Sequence, residues 1–216
     1  MVPEYRKEAK NRIVNAGLEV MYQKGYCRTT MDDIAKHLNV TKPALYRYFK
    51  NKNELILESA KILQGEYRRI QSPQKSNKCP IATWITVFDQ MMSSESNEHA
   101  LLLELIGMTK YEPEIGNYSI ERMKIGIEES TKTIAEQQKK GYITSTTDPR
   151  TLAIALLSIF NGMRMMIILG VEHDELRIRW IEIIRALFLE SGRDKFSEKC
   201  PLDCPGYDIC TGFTEF

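Results

Sequence analysis

Apolar side chains recur at intervals of three and four residues through most of this chain, a period that belongs to one face of an α-helix. A period of two is sustained nowhere, and no hairpin turn stands between alternating runs, so strands have no signal to start from. The pattern predicts an all-α fold, and 43% hydrophobic residues over 216 positions supply enough apolar surface for a buried core.

The punctuation between the periodic runs sets the predicted elements. A first helix runs from residue 3 or 4 to Lys24, with Ile13, Ala16, Val20 and Met21 on one stripe and Gly25 placed to end it in a left-handed conformation. Thr29 and Thr30 each stand three residues ahead of an aspartate, so either can cap a short second helix ending near Leu38. Asn39 occupies the turn position that wants positive φ, with Val40 after it as a buried hinge residue. Thr41 is placed to cap a third helix from Lys42 to about Phe49, where Pro43 in the first turn removes no intrahelical bond. A fourth helix spans about Glu54 to Ile70 and leads into a polar linker, Gln71 to Lys78. Further helices are predicted near 81–94, 98–110, 115–140, 149–170 and 174–191. Three parts follow: a head of short helices at 1–71, a second helical domain at 72–192, and a cysteine-containing tail at 193–216.

Two short helices joined by a four-residue turn behind a longer one make a helix-turn-helix, the shape that inserts its last helix into the DNA major groove. Ile34, Ala35, Leu38, Val40, Leu45 and Phe49 are the expected core, and small Ala35 lets the two short helices approach. Lys42, Ala44, Tyr46, Arg47 and Tyr48 then face outward in differing degrees. Cations neutralise phosphates or read guanine edges, and phenolic hydroxyls reach phosphate oxygens. Charge agrees: residues 1–55 hold eleven Lys and Arg against six Asp and Glu, a net +5, which leaves −4 for the rest of a chain whose total is +1. A basic head on an acidic body fits a polyanion-binding module joined to something else, and a solvated charged face fits the same numbers.

The run TTMDDIAKHLNVTKPALYRYFKNKNEL resembles the DNA-binding domain of the TetR family of regulators, over about Arg12 to Leu57. Asn39 and Pro43 stand where the family commonly has glycine. The resemblance implies phosphate contacts from Thr30, Thr41, Tyr46, Tyr48 and Lys52, and base-edge contacts from Lys42, Pro43 and Arg47, with small Ala44 permitting close approach. It also implies a homodimer on a palindromic, double-stranded operator, a repressor released by a small-molecule effector, and no cofactor or catalytic activity. The last two long helices would form the dimer interface, with Leu156, Ile159, Phe160, Met163, Ile181, Ile184 and Leu187 as contacts or, equally, as intrachain core.

The resemblance also implies an effector pocket, for which Trp84, Phe88, Glu104, Met108, Tyr118, Phe160, Asn161 and Arg164 are the candidates, the apolar ones being equally readable as ordinary core. Asp89, Glu104, Asn161 and Arg164 interrupt apolar stretches, where each either orients a ligand or joins an interhelical ion pair. Five cysteines, an odd number, argue against a full disulfide framework. Cys200, Cys204 and Cys210 cluster in the tail, where they ligate a metal, sense redox state or are incidental. The apolar stretch Leu152 to Leu169 is interrupted by Ser158, Asn161 and Arg164, which favours burial in protein over a membrane span. Without a basic and apolar leader the expected residence is cytoplasmic. No phosphate loop, nucleophile elbow or zincin helix supports an enzyme.

Overall fold

The structure, a computed structural model, describes residues 3–59, 80–93 and 95–189. Every element among them is helical: α1 Pro3–Lys24, α2 Met31–His37, α3 Lys42–Tyr46, α4 beginning at residue 52, α5 Pro80–Met92, α6 Ser96–Gly107, a 3₁₀ turn Met108–Lys110, α7 Pro113–Lys139, α8 Pro149–Ile168 and α9 His173–Phe188. The chain divides into two compact units, one drawn from 1–69 with 95–121 and the other from 70–94 with 122–216. Residues 95–121, expected in the second domain from their place in the sequence, thus group with the N-terminal helices. The predicted linker and the tail with Cys200, Cys204 and Cys210 lie outside the described residues.

In the first unit, α1 packs against α2 and α6, and α2 packs against α3. The stripe read from the sequence is the buried one: Ile13, Val20 and Met21 of α1 meet Ile34 and Ala35 of α2, with Leu45, Phe49 and Leu55 completing the core. Gly17 lets α4 come close, because a Cβ there would stand 2.6 Å from Cδ2 of Leu55. Leu101 of α6 and Ile115 of α7 close the cluster, so the head is supported by more helix than its own three.

In the second unit, α9 packs against α5 and α8 around Trp180. The indole N–H donates to the Trp84 carbonyl oxygen at 2.9 Å, which satisfies the one polar atom of an otherwise apolar ring. Asp148 caps α8 by accepting the Thr151 N–H at 2.9 Å, with Pro149 in the first turn. Helix α8 is long and apolar enough to cross a membrane by length and composition. Its Leu152, Ala153, Leu156, Phe160 and Met163 are buried in the core of this unit.

Several expectations change. Leu156, Phe160, Met163, Ile181 and Ile184, offered as dimer contacts or core, are core, with Ile159 and Leu187 partly buried against them. The apolar residues left exposed on α8 and α9 are instead Ile154, Met165, Met166, Leu169 and Ile178. Val40, expected as a buried hinge, is 41% exposed. Its backbone does the joining, with the N–H donating to the Ala35 carbonyl oxygen at 2.9 Å, while the left-handed residue before it turns the side chain outward.

Candidate nucleic-acid interface

The interface is built by the segment from Gly25 to Phe49. Gly25 ends α1 at φ +79°, and its N–H donates to Met21 O at 2.8 Å. Of the two threonines able to start α2, Thr30 is the cap. Its hydroxyl oxygen accepts the Asp33 N–H at 3.2 Å, and Asp33 Oδ2 accepts the Thr30 N–H at 3.0 Å, which makes a reciprocal capping box. Thr29 is buried, and its hydroxyl donates to the Gly25 carbonyl oxygen at 2.7 Å. Asp33 also receives Lys24 Nζ at 2.6 Å, and that bond, with those from Thr30, holds its carboxyl far below the usual aspartate range. Asn39 then takes φ +53°, the only positive φ at a non-glycine residue among those described.

Helix α3 is shorter than predicted, ending at Tyr46, although Tyr48 N and Phe49 N still donate to Leu45 O at 2.8 and 3.1 Å and carry the turn onward. Thr41 occupies the cap position in extended conformation but makes no side-chain cap bond, contrary to expectation. Pro43 near the helix start has no N–H to satisfy, and the Ala44 N–H donates to Thr41 O at 2.9 Å. Leu45 and Phe49 are fully buried, which fixes the opposite side of the helix outward. Thr41, Lys42, Pro43, Tyr46 and Arg47 are exposed, while Ala44 and Tyr48 are half-buried. Tyr48 packs against the core of the unit. Lys42 Nζ lies 2.9 Å from Asp32 Oδ2, whereas Arg47 has no ion-pair partner among the described residues.

Lys52 is engaged differently from its neighbours. Its ammonium donates to the carbonyl oxygens of Tyr26 at 2.7 Å, Thr29 at 3.1 Å and Cys27 at 3.4 Å, and it sits 4.2 Å from the centre of the Tyr26 ring. All three of its protons therefore point at the turn after α1. The N–H groups of that turn are held from the other direction by Glu104 of α6, which accepts Tyr26 N–H at 2.7 Å and Cys27 N–H at 2.8 Å. Burial pushes the Glu104 carboxyl up, but the two backbone bonds, the Cys27 thiol and the Lys52 charge outweigh it and leave it below the usual glutamate value. Tyr26 OH also meets Asn53 Oδ1, whose amide nitrogen donates to Glu112 at 2.8 Å.

The expected effector residues fall in both units. Glu104 serves the turn just described, Met108 Sδ lies 3.7 Å from Cys27 Sγ, and both belong with Tyr118 to the first unit. In the second unit, Phe88 and Phe160 lie 6.0 Å apart, and both pack on Trp180, at 5.9 and 4.7 Å between ring centres. Trp84 contacts Phe188 edge-on at 6.2 Å. These rings form core. Asn161 donates to Leu157 O at 3.0 Å and accepts from Arg164 at 3.3 Å. Asp89 takes the second of its two readings, a bidentate ion pair with Arg177 at 2.6 and 3.1 Å. Among the described residues no group of three His, Cys, Asp or Glu side chains could hold a metal ion.

A short helix displayed on a packed helical support, with hydroxyls, a lysine and an arginine directed outward, defines a helix-turn-helix protein. Residues 13–59 match the family model described as bacterial regulatory proteins, tetR family. It is 38% identical over 98 residues to the biofilm operon icaADBC HTH-type negative transcriptional regulator IcaR of Staphylococcus aureus, a match covering 44% of this chain and 53% of that protein. The chain thus aligns with about half the length of the curated relatives it matches. In fold it is similar to GusR of Salmonella enterica, with a TM-score of 0.69 at 19% identity, covering 87% of this chain and 97% of that one. A transcriptional regulator from Saccharomonospora viridis, solved in complex with choline, gives a TM-score of 0.77 at 18% identity over 85% of this chain and 99% of that one.

Proposed function

We propose that this protein is a cytoplasmic transcriptional repressor that binds a palindromic operator as a homodimer and leaves it when a small-molecule effector binds. The observation that carries the reading is the division of α3 into a buried side, Leu45 with Phe49 beyond it, and an exposed side bearing Thr41, Lys42, Pro43, Tyr46 and Arg47. The wedge is held from behind by core packing, so its exposed side is left open to a duplex. Arg47, exposed and without an ion-pair partner among the described residues, is the base-reading candidate, because a guanidinium bonds both acceptors of a guanine edge. Thr41, Tyr46 and Tyr48 supply hydroxyls toward phosphate oxygens, Thr30 stands at the start of α2 with its own hydroxyl bonded to Asp33, and Pro43 with Ala44 lets the backbone approach closely.

Negative regulation is supported by IcaR, the relative named for it, over the matched half. For the effector, the polar candidates are Asn161 and Arg164, a bonded pair on α8 in the unit that also holds the aromatic candidates Trp84, Phe88 and Phe160. Binding acts by favouring a conformation whose two recognition helices no longer match the operator half-sites.

Selection from randomised duplex DNA tests the reading. The expected result is an enriched inverted repeat whose half-sites are about one helical turn apart or a multiple of it. Recovery of no sequence above the random background, with no retention at low ionic strength, overturns it.

A further inference from the structure

Adjacent aspartates open α2, and the structure gives them different work. Asp33 is taken up by the capping box and by Lys24, as described. Asp32 bonds to neither Thr29 nor Thr30; its carboxylate reaches across the turn to Lys42, ten positions on, at the first residue of α3. Both side chains are about half exposed, at 52% and 45%, so the pair lies on the surface of the proposed contact face rather than within the core. The Lys42 ammonium is held above its ordinary value, chiefly by the Asp32 bond. Of the cations on α3 and its cap, Lys42 is therefore compensated, and Arg47 has no ion-pair partner among the described residues.

That asymmetry bears on selectivity. Phosphate neutralisation drives binding to any duplex, while contacts to base edges discriminate. A lysine tied to a carboxylate contributes less to the first, and the carboxylate itself is repelled by phosphates, so indiscriminate binding is penalised while Arg47 is left untouched. We propose that Asp32 is a specificity-determining residue, holding Lys42 back from non-cognate phosphates so that retention depends on base contacts. This rests on the DNA-binding reading above.

The test measures affinity against salt concentration for full-length wild type, Asp32→Asn, Lys42→Gln and the double variant, on a duplex recovered by selection and on its scrambled counterpart. Asp32→Asn is expected to bind the scrambled duplex severalfold more tightly, with a salt slope steeper by about 0.9 per protomer, the increment for one further phosphate neutralised. The cognate-to-scrambled ratio falls, and Lys42→Gln in the Asp32→Asn background restores the original slope. An unchanged slope in Asp32→Asn, a parallel loss of affinity on both duplexes, or a gain that survives Lys42→Gln overturns the proposal. Should Asp32→Asn fail to fold by circular dichroism, Lys42→Gln alone decides. It is expected to leave the wild-type slope nearly unchanged, and a slope shallower by about 0.9 overturns the restraint. Wild type that binds neither duplex overturns the DNA-binding reading itself, and this proposal with it.

Discussion

At the scale of single residues, the instructive side chain is Lys52. Its position at the start of α4 and its charge make it resemble a phosphate contact, and nothing local in the sequence argues otherwise. Yet its ammonium faces three carbonyl oxygens 23 to 26 positions earlier, and the Tyr26 ring covers it. A donor with all three protons directed into its own protein has little left for a duplex. Lys52→Ala is therefore expected to lower the unfolding free energy by about 1.5 to 3 kcal/mol, the range for hydrogen bonds to a charged group. Urea denaturation reads this loss, while the salt slope of DNA binding stays at the wild-type value. A slope shallower by about 0.9 with unchanged stability would return Lys52 to the interface. Glu104 has the same character from the other side, accepting two N–H groups 77 and 78 positions away. Such partners are invisible to spacing arguments, because periodicity tells which face a residue occupies and not what stands opposite. The short-range chemistry, by contrast, was legible: the Thr30 cap depends only on residues three apart, and Gly25 and Asn39 were marked by the conformations their side chains permit.

At the scale of elements, the turn between α2 and α3 sets the angle at which the exposed face is presented. Asn39 at φ +53° is its pivot, followed by the Val40 N–H bond to Ala35 O. A β-branched residue in the left-handed region carries about 1 to 2 kcal/mol of steric cost. Asn39→Val is expected to destabilise the head by that amount and to weaken binding to a selected operator beyond what the stability loss explains, because the helix angle shifts. Asn39→Gly should keep both properties near wild type. Equal thermal melting for the two variants would show that the turn is not held in this conformation. The element pattern was readable because capping, turn chemistry and periodicity all agree across residues 25–49. The shortening of α3 and the exposure of Val40 were not, since both depend on how the turn aims the backbone after Asn39. The grouping of 95–121 with the head was equally hidden: Leu101 and Ile115 look like any apolar stripe until their partners on α1 and α4 are known.

For the molecule as a whole, the proposed function asks for a second copy, because a helix of five residues set in a groove reads too few base pairs to find one site in a genome. The sequence offered seven residues for that contact, and five of them are consumed by the core. Among the exposed apolar residues, Ile154 and Met165 of α8 and Leu169 just past its end are spaced by eleven and four residues and so share one stripe, with Met166 beside Met165 and Ile178 exposed on α9. A twofold axis pairs such a stripe with itself, because an isologous interface uses the same patch on both copies. Glutamate at Met165 and Leu169 together would bring like charges face to face across that axis, while neither side chain belongs to the core, which is left intact. The double variant is expected to sediment as a monomer of unchanged helical content. It should lose the preference for an inverted repeat over a single half-site while keeping salt-dependent retention on random duplex. A variant that still sediments at twice the chain mass would place the dimer contact elsewhere, and a monomeric variant that still prefers the full repeat would separate operator reading from dimerisation altogether.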